Sequence, residues 1–155
     1  MKILFLDIDG VLNNHKSLVK QSYSIDPYNV ENLNKIIRAT DCQIVLMSAW
    51  RYLILDRHMT LRGFETLLST HGVLAYRRLI DLTEQDTIVS ERWHQVENWI
   101  KANKEKVDTF VMLDDCEEFP NYPQNFVKTD MEFGLTEQDA DKAILILGEN
   151  HNEKV

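Results

Sequence analysis

Residues 2–14 constrain the fold more than any other stretch, and they read Lys-Ile-Leu-Phe-Leu-Asp-Ile-Asp-Gly-Val-Leu-Asn-Asn. The unbroken apolar run at their start is typical of a strand that is covered on both faces of a sheet. Asp7 and Asp9 follow where this strand is predicted to end, and their spacing places both side chains on the same side of an extended backbone. Gly10 then allows a sharp turn that brings the backbone close to a bound group.

Two carboxylates this close together need a compensating charge. They repel each other, and in a site without water they do not both stay ionised. A cation beside them removes this cost. An Asp-x-Asp pattern alone also fits an ordinary strand end, so the rest of the chain has to decide between the two interpretations.

The composition predicts one globular domain. The chain has 155 residues, of which 44% are apolar and 27% charged, as is usual for a soluble protein. We assign residues 1–150 to a single domain and expect residues 151–155 to form a frayed tail. The sequence shows no secretory signal and no membrane-spanning stretch, and its two cysteines, Cys42 and Cys116, are predicted to lie too far apart to pair. These features lead us to expect a cytoplasmic protein.

The charge distribution limits the classes of partner. A net charge of −8 argues against a general affinity for nucleic acid or for acidic membranes. Residues 51–78 nevertheless contain five arginines against Asp56 and Glu65. This local excess fits either a surface that meets an anionic ligand or an ordinary solvated surface, and the sequence leaves both interpretations open.

Predicted strands alternate with predicted helices along the chain. Strands are predicted at 3–6, 43–47, 73–76, 109–113 and 125–128. Helices are predicted to begin at Asp26-Pro27, Thr60, Ser90 and Thr136, with ends near Thr40, Gly72 and Gly148 for three of them. Residues 13–25 are polar and are predicted to form an irregular, mobile flap. This alternation predicts an α/β fold: a three-layer, doubly wound, Rossmann-like parallel sheet.

Acidic residues follow two of the predicted strands at the same edge of this sheet. In such sheets ligands bind beyond the carboxyl ends of the strands. The first strand leads to Asp7 and Asp9, and the fourth leads to Asp114 and Asp115. Together they form a hard, oxygen-rich site that suits Mg²⁺, which needs few protein ligands and keeps several waters.

A phosphate-binding group is predicted at the same edge. Ser48 follows the second strand with a hydroxyl, and the turn that begins at Ala49 offers free amides, which both suit a phosphate oxygen. Arg92, in the first turn of its helix, is the candidate for the positive charge. Arg51 is its rival because it lies closer to Ser48, and an exposed arginine without a role is the third interpretation.

These motifs resemble those of the haloacid dehalogenase (HAD) superfamily of phosphotransferases. Its first motif corresponds to Leu-Phe-Leu-Asp-Ile-Asp-Gly-Val-Leu-Asn, its second to Ile-Val-Leu-Met-Ser and its fourth to Val-Met-Leu-Asp-Asp. Arg92 stands where the basic residue of the third motif would fall. Ser-Ala-Trp-Arg and the stretch from Lys128 to Thr136 also resemble a small capless subgroup, the HAD domains of RNA-repair proteins. Ala49 departs from the serine that is usual there.

The resemblance implies a function and a role for each site residue. Asp7 would be the nucleophile that forms an aspartyl-phosphate, and Asp9 the general acid and base. Mg²⁺ would be held by the Asp7 carboxylate, the Asp9 carbonyl and Asp114, with Asp115 in support. The phosphate-binding residues would be Gly10, Ser48, Ala49 and Arg92. The expected activity is that of a Mg²⁺-dependent phosphomonoesterase without a large cap domain.

Two alternatives use the same scaffold without turnover. One is a phosphoacceptor domain of the response-regulator type, although that fold needs its adjacent acidic pair on the first strand, the reverse of the order found here. The other is a catalytically idle binding module. The expected partner is a phosphorylated substrate, either a small molecule or an exposed phosphate on a protein or a nucleic-acid end, and no membrane. The sequence does not indicate an oligomeric state.

Overall fold

The computed structural model describes residues 1–84, 91–116 and 119–148. The strands are β1 Lys2–Leu6, β2 Gln43–Leu46, β3 Leu79–Leu82, β4 Thr109–Asp114 and β5 Phe126–Lys128. The helices are α1 His15–Lys20, α2 Pro27–Thr40, α3 Tyr52–Leu55, α4 Leu61–Thr70, α5 Arg92–Ala102 and α6 Glu137–Gly148. Short 3₁₀ turns occupy Ala49–Arg51, Lys104–Lys106 and Pro123–Asn125.

Within these residues the strands form one parallel sheet in the order β3-β2-β1-β4-β5. From β1 the chain adds β2 and β3 on one side of the sheet. It then returns to place β4 on the other side of β1 and continues outwards to β5, so the direction in which strands are added reverses next to β1. Such a reversal is the switch point at which open α/β sheets bind ligands. The predicted fold class, a doubly wound α/β sheet, is therefore confirmed.

β1 is the central strand because both of its faces are apolar. Leu4 and Leu6 pack into a core with α2, α4 and α6, whereas Ile3 and Phe5 pack into a second core with α5. All four side chains are fully buried. A strand covered on both faces is what the unbroken apolar run predicts.

Several predicted helix boundaries are confirmed by their capping hydrogen bonds. The side chain of Asp26 accepts a hydrogen bond from the Tyr28 amide (2.9 Å), and Thr60 accepts one from the Gly63 amide (2.9 Å). Thr136 and Asp139 cap α6 reciprocally, as a capping box does. The predicted cap Ser90 and the predicted tail 151–155 lie outside the described residues.

The strand predicted at Val73–Tyr76 is wrong. Residues 73–75 have no regular secondary structure, a turn begins at Tyr76, and the third strand runs from Leu79 to Leu82 instead. Val73 and Ala75 are buried against the core without joining the ladder, so their alternation reflects burial and not strand pairing. The chain then turns through Arg77, whose φ is +59°, before β3 begins.

The predicted irregular flap is also corrected in part, because residues 15–20 form helix α1. Asn14 caps this helix in a reciprocal arrangement with Ser17. None of the helical residues is buried. A helix is recognised in a sequence by the apolar stripe that it buries. Because α1 buries no residue, it has no such stripe, and the sequence did not predict it.

Among the described helices, none has both the length and the apolar character that a membrane span requires. Cys42 lies in one core and Cys116 beside the other, and within the described residues the two do not form a disulfide. The described residues also contain no large inserted domain between the strands.

A buried asparagine ties the loop before α6 to the helices after β1, and its loss should destabilise the fold. Asn29 is fully buried and donates to the carbonyls of Phe133 (2.9 Å) and Leu135 (3.0 Å), while it accepts from Asn14 (3.0 Å). Asn29→Ala leaves buried polar groups without partners, so we expect it to lower the free energy of unfolding by about 1–3 kcal/mol.

Urea denaturation of Asn29→Ala measures this loss, with Asn121→Ala as the control. Asn121 is exposed, and its replacement should change the free energy of unfolding by less than about 0.5 kcal/mol. Equal stability of the two variants would contradict the role assigned to Asn29.

Candidate active site

Three carboxylates meet at the carboxyl edge of the sheet. Asp7 directly follows β1, and its amide donates to the Leu113 carbonyl (3.1 Å), which extends the pairing with β4 by one residue. Asp114 ends β4 and Asp115 follows it. Asp7, Asp114 and Asp115 each offer a carboxylate oxygen, and these oxygens lie within 4.8 Å of one another. The predicted meeting of the first and fourth strands at one acidic cluster is therefore present in the structure.

Arg92 is the cation that approaches this cluster. It is the first residue of α5, and its Nη1 lies 3.2 Å from Asp7 Oδ2 and 2.5 Å from Asp114 Oδ2. Burial of the guanidinium lowers its pKa, but the charges of Asp7 and Asp114 outweigh burial and raise the pKa above its ordinary value. Arg92 therefore stays charged beside the two carboxylates.

One arginine does not offset the charge of the cluster. Burial, and then the charge of Asp114, raise the pKa of Asp7 from 3.8 to about 8, although Arg92 and the Ile8 amide act in the opposite direction. Burial and a hydrogen bond with Asp114 also raise the pKa of Asp115. Three clustered carboxylates with only oxygen donors fit a hard divalent cation such as Mg²⁺, whose charge would favour their ionised forms.

The Asp9 carboxylate has different partners from those of the cluster. Its Oδ1 accepts from Asn13 Nδ2 (2.8 Å), and the Trp50 indole Nε1 donates to Oδ1 (3.2 Å) and Oδ2 (3.3 Å). Asp9 is thus held beside the site by two neutral donors. Its side chain is free of the acidic cluster and can serve as a separate proton-transferring group.

Gly10 lets the two acidic segments approach each other closely. Its φ is +79°, and a Cβ atom there would lie 2.6 Å from Asp115 Oδ2. Its amide donates to Asn13 Oδ1 (2.9 Å), and its carbonyl accepts from the Thr129 hydroxyl (2.6 Å). Gly10 is a predicted phosphate-binding residue, and in this structure its amide donates to Asn13.

Ser48 lies at the end of β2, as predicted, and begins a tight turn. Its Oγ accepts from the Trp50 amide (3.1 Å), and Ala49, the next residue, is exposed. Ser48 itself is buried. The turn places Ala49 at the same edge of the sheet as the acidic cluster, which is the position that a phosphate-binding turn requires.

Arg51, the rival cation, has a different position from Arg92. It is buried, and its Nη1 donates to the carbonyls of Met47 and Ser48 (3.0 Å each), while Nη2 donates to Gln95 (2.8 Å). Burial lowers the pKa of its guanidinium. Arg51 therefore supports the turn after β2, and Arg92 is the arginine that contacts the carboxylates.

Sequence reasoning missed three residues that organise the site: Asn13, Trp50 and Thr129. Asn13 lies inside the first motif, four residues after Asp9. Its closeness to Asp9 in the sequence could have indicated a contact between the two side chains. The Thr129 hydroxyl donates to the carbonyl of Gly10, 119 residues away in the chain. Thr129 lies in the stretch from Lys128 to Thr136 that carries the resemblance, but that pattern does not show which residue Thr129 contacts.

A cavity of about 540 Å³ opens beside Asp115. The residues that line it are Asp115, Lys128, Thr129, Asp130, Met131, Thr136 and Asp139. Most of them belong to the stretch from Lys128 to Thr136, which therefore forms one wall of the space next to the acidic cluster.

The fold and the acidic cluster define a HAD-type domain. Residues 3–140 match the family model described as the HAD domain in Swiss Army Knife RNA repair proteins, and the chain belongs to this family. The resemblance seen in the motifs is therefore confirmed, and membership supports hydrolase or phosphatase-type chemistry in general. The search of curated proteins and the search of solved structures found no match.

Because the pKa of Asp7 is raised, the stability of the protein without divalent ions should depend on pH. Between about pH 4 and about pH 8, the folded state binds a proton that the unfolded state does not bind, so the free energy of unfolding falls as the pH rises. Asp7→Asn removes this dependence. From pH 5 to pH 8, we expect the variant to gain at least about 1 kcal/mol in stability relative to the original protein, because one pKa unit corresponds to about 1.4 kcal/mol.

Urea denaturation in EDTA at both pH values measures this difference. The exposed residue Asp56 supplies the control variant, Asp56→Asn, which should show no gain. Addition of Mg²⁺ at pH 8 should stabilise the original protein and leave Asp7→Asn unchanged. A pH-independent difference between Asp7→Asn and the original protein would contradict the electrostatics described here.

Proposed function

We propose that this chain is a Mg²⁺-dependent phosphomonoesterase that works through an aspartyl-phosphate on Asp7. The observation that carries the proposal is the set of Asp7, Asp114 and Asp115 oxygens within 4.8 Å of one another, with Arg92 in contact with two of the three carboxylates. Family membership supports the same class of chemistry.

The reaction takes place in two displacements at phosphorus. The Asp7 carboxylate attacks the phosphorus atom, the bond to the leaving oxygen breaks, and Asp9 donates a proton to that oxygen. Asp9 then accepts a proton from water, whose oxygen attacks the same phosphorus. The bond between phosphorus and Asp7 breaks, which releases inorganic phosphate and regenerates both carboxyl groups.

The residues that would hold Mg²⁺ are the Asp7 carboxylate, the Asp9 carbonyl and Asp114, with Asp115 in support. Bound there, the ion would offset the repulsion between the carboxylates and the incoming phosphate. Arg92, the Ser48 hydroxyl and the Ala49 amide would bind the phosphoryl oxygens. Such positioning and charge stabilisation contribute most of the catalysis in phosphoryl transfer.

The substrate is proposed from the openness of the site. The described residues contain no large inserted domain above the carboxyl edge, so an exposed phosphate on a bulky partner can be accommodated as well as a small metabolite. The matching family model describes the HAD domain of RNA repair proteins. A phosphorylated RNA end is therefore the first polymer to test. Phosphoproteins and phosphorylated metabolites complete the panel.

Removal of either proposed catalytic carboxylate should slow turnover strongly. Asp7→Asn eliminates the nucleophile, and we expect it to lower Mg²⁺-dependent hydrolysis of an aryl phosphate by at least about 1,000-fold. Asp9→Asn eliminates proton transfer and should cost about 100-fold or more. The exposed variant Asp56→Asn serves as the control, and EDTA should abolish the activity of every active form.

Full activity of a folded Asp7→Asn variant would remove Asp7 as the nucleophile. The lifetime of the phosphorylated protein separates the proposal from a phosphoacceptor role. In a phosphatase the phosphate on Asp7 is hydrolysed within the turnover time, whereas a phosphoacceptor remains modified after the free substrate is removed.

Arg92 should be the main cationic ligand of the phosphate. Arg92→Ala removes a guanidinium that contacts Asp7 and Asp114, so we expect kcat/KM for the aryl phosphate to fall by about 100–1,000-fold. Inhibition by inorganic phosphate should weaken in parallel. Arg38→Ala, which removes an exposed arginine of α2, provides the control. Unchanged phosphate inhibition in Arg92→Ala would contradict this role.

A further inference from the structure

We propose that Trp50, with the help of Asn13, is a positioning residue that aims Asp9 at the leaving group. This inference rests on the proposed function, because it assigns a purpose to the hydrogen bonds around the proposed acid–base group. Both side chains are neutral, and both donate hydrogen bonds to the Asp9 carboxylate.

The indole of Trp50 is suited to hold a half-buried carboxylate. Its Nε1 donates to both Asp9 oxygens, at 3.2 and 3.3 Å, and the residue is only 6% exposed. Tryptophan combines a large apolar ring with a single N–H donor and no acceptor. The ring can therefore be packed in the core while its edge fixes the position of the carboxylate.

Packing fixes the indole itself. Its ring meets Phe64 edge-on at a centroid distance of 6.4 Å and Tyr23 at 5.4 Å. The Trp50 amide donates to Ser48 Oγ (3.1 Å) at the start of the phosphate-binding turn. The same residue thus connects the turn predicted to bind phosphate with the group predicted to transfer the proton.

Asn13 holds Asp9 from a second direction. It is fully buried, and its Nδ2 donates to Asp9 Oδ1 (2.8 Å) and to the Ser24 carbonyl (3.1 Å). Its Oδ1 accepts from the Gly10 amide (2.9 Å), which fixes the orientation of the side-chain amide. Two donors from different segments therefore restrict Asp9 to one orientation, whereas a loop carboxylate with a single partner would be free to rotate.

The importance of this orientation depends on the leaving group. An alkoxide is a poor leaving group and needs a proton as the bond to phosphorus breaks, whereas 4-nitrophenolate leaves readily without one. The general acid contributes most where the leaving oxygen is most basic. A misaimed Asp9 should therefore slow alkyl phosphates far more than 4-nitrophenyl phosphate.

The test compares kcat/KM of Trp50→Phe for an alkyl phosphate and for 4-nitrophenyl phosphate, because kcat/KM reports the steps up to formation of the aspartyl-phosphate. Phenylalanine keeps an aromatic ring and removes only the N–H donor and part of the indole. We expect at least about a tenfold loss on the alkyl phosphate and less than about a threefold loss on 4-nitrophenyl phosphate.

The control is Trp99→Phe, which removes a hydrogen bond of the same kind, from an indole Nε1 to Asp81 Oδ2 (2.8 Å), in the other core. Its losses should be equal on the two substrates. Equal losses for Trp50→Phe would show a merely structural role and overturn the inference, while the proposed function would stand. If the original protein hydrolyses neither substrate with Mg²⁺, the proposed function fails, and the role of Trp50 fails with it.

A second measurement keeps Trp50 in place and needs no activity. In Asp9→Ala the NMR signal of the Trp50 indole N–H should shift, because its acceptor is lost, while the signals of Trp93 and Trp99 should stay in place. An unchanged Trp50 signal would overturn the contact on which the inference depends.

Discussion

The pairing of β1 with β4 is the constraint on which the rest of the site depends. Leu6 lies opposite Leu113, and the hydrogen bond from the Asp7 amide to the Leu113 carbonyl carries the pairing just past the end of β1. This register places Asp7 beside Asp114 at the switch point of the sheet. A slip of one residue would turn one of the two carboxylates to the opposite face, so the apolar patterns of the strands determine where the charges meet.

Bringing these carboxylates together is electrostatically unfavourable, and the residues around them reduce that cost. Burial and mutual repulsion raise the pKa of Asp7 to about 8, and Arg92 offsets only part of that cost. Asp9 avoids the cluster because Asn13 and Trp50 bind its carboxylate elsewhere. The site therefore separates a charged cluster, whose oxygen atoms suit a metal ion, from the Asp9 carboxylate, which neutral donors hold.

The sequence predicted the elements that have strong local patterns. The two-sided burial of β1, the helix caps at Asp26 and Thr60, and the acidic ends of β1 and β4 all follow from apolar runs, capping residues and motif spacing. The third strand was misplaced because burial of Val73 mimicked strand alternation. The contacts of Trp50 with Asp9 and of Thr129 with Gly10 depend on tertiary packing between distant segments, which no local pattern encodes.

The position of a bound divalent ion would show whether the ends of β1 and β4 form one metal site. A crystal soaked in Mn²⁺, which can replace Mg²⁺ at oxygen-rich sites and is visible by anomalous scattering, locates the ion without reference to activity. We expect one strong peak within about 2.5 Å of an Asp7 oxygen and of an oxygen from Asp114 or Asp115. A peak elsewhere, with these three carboxylates bound only to protein groups, would rule out a shared metal site at the ends of β1 and β4.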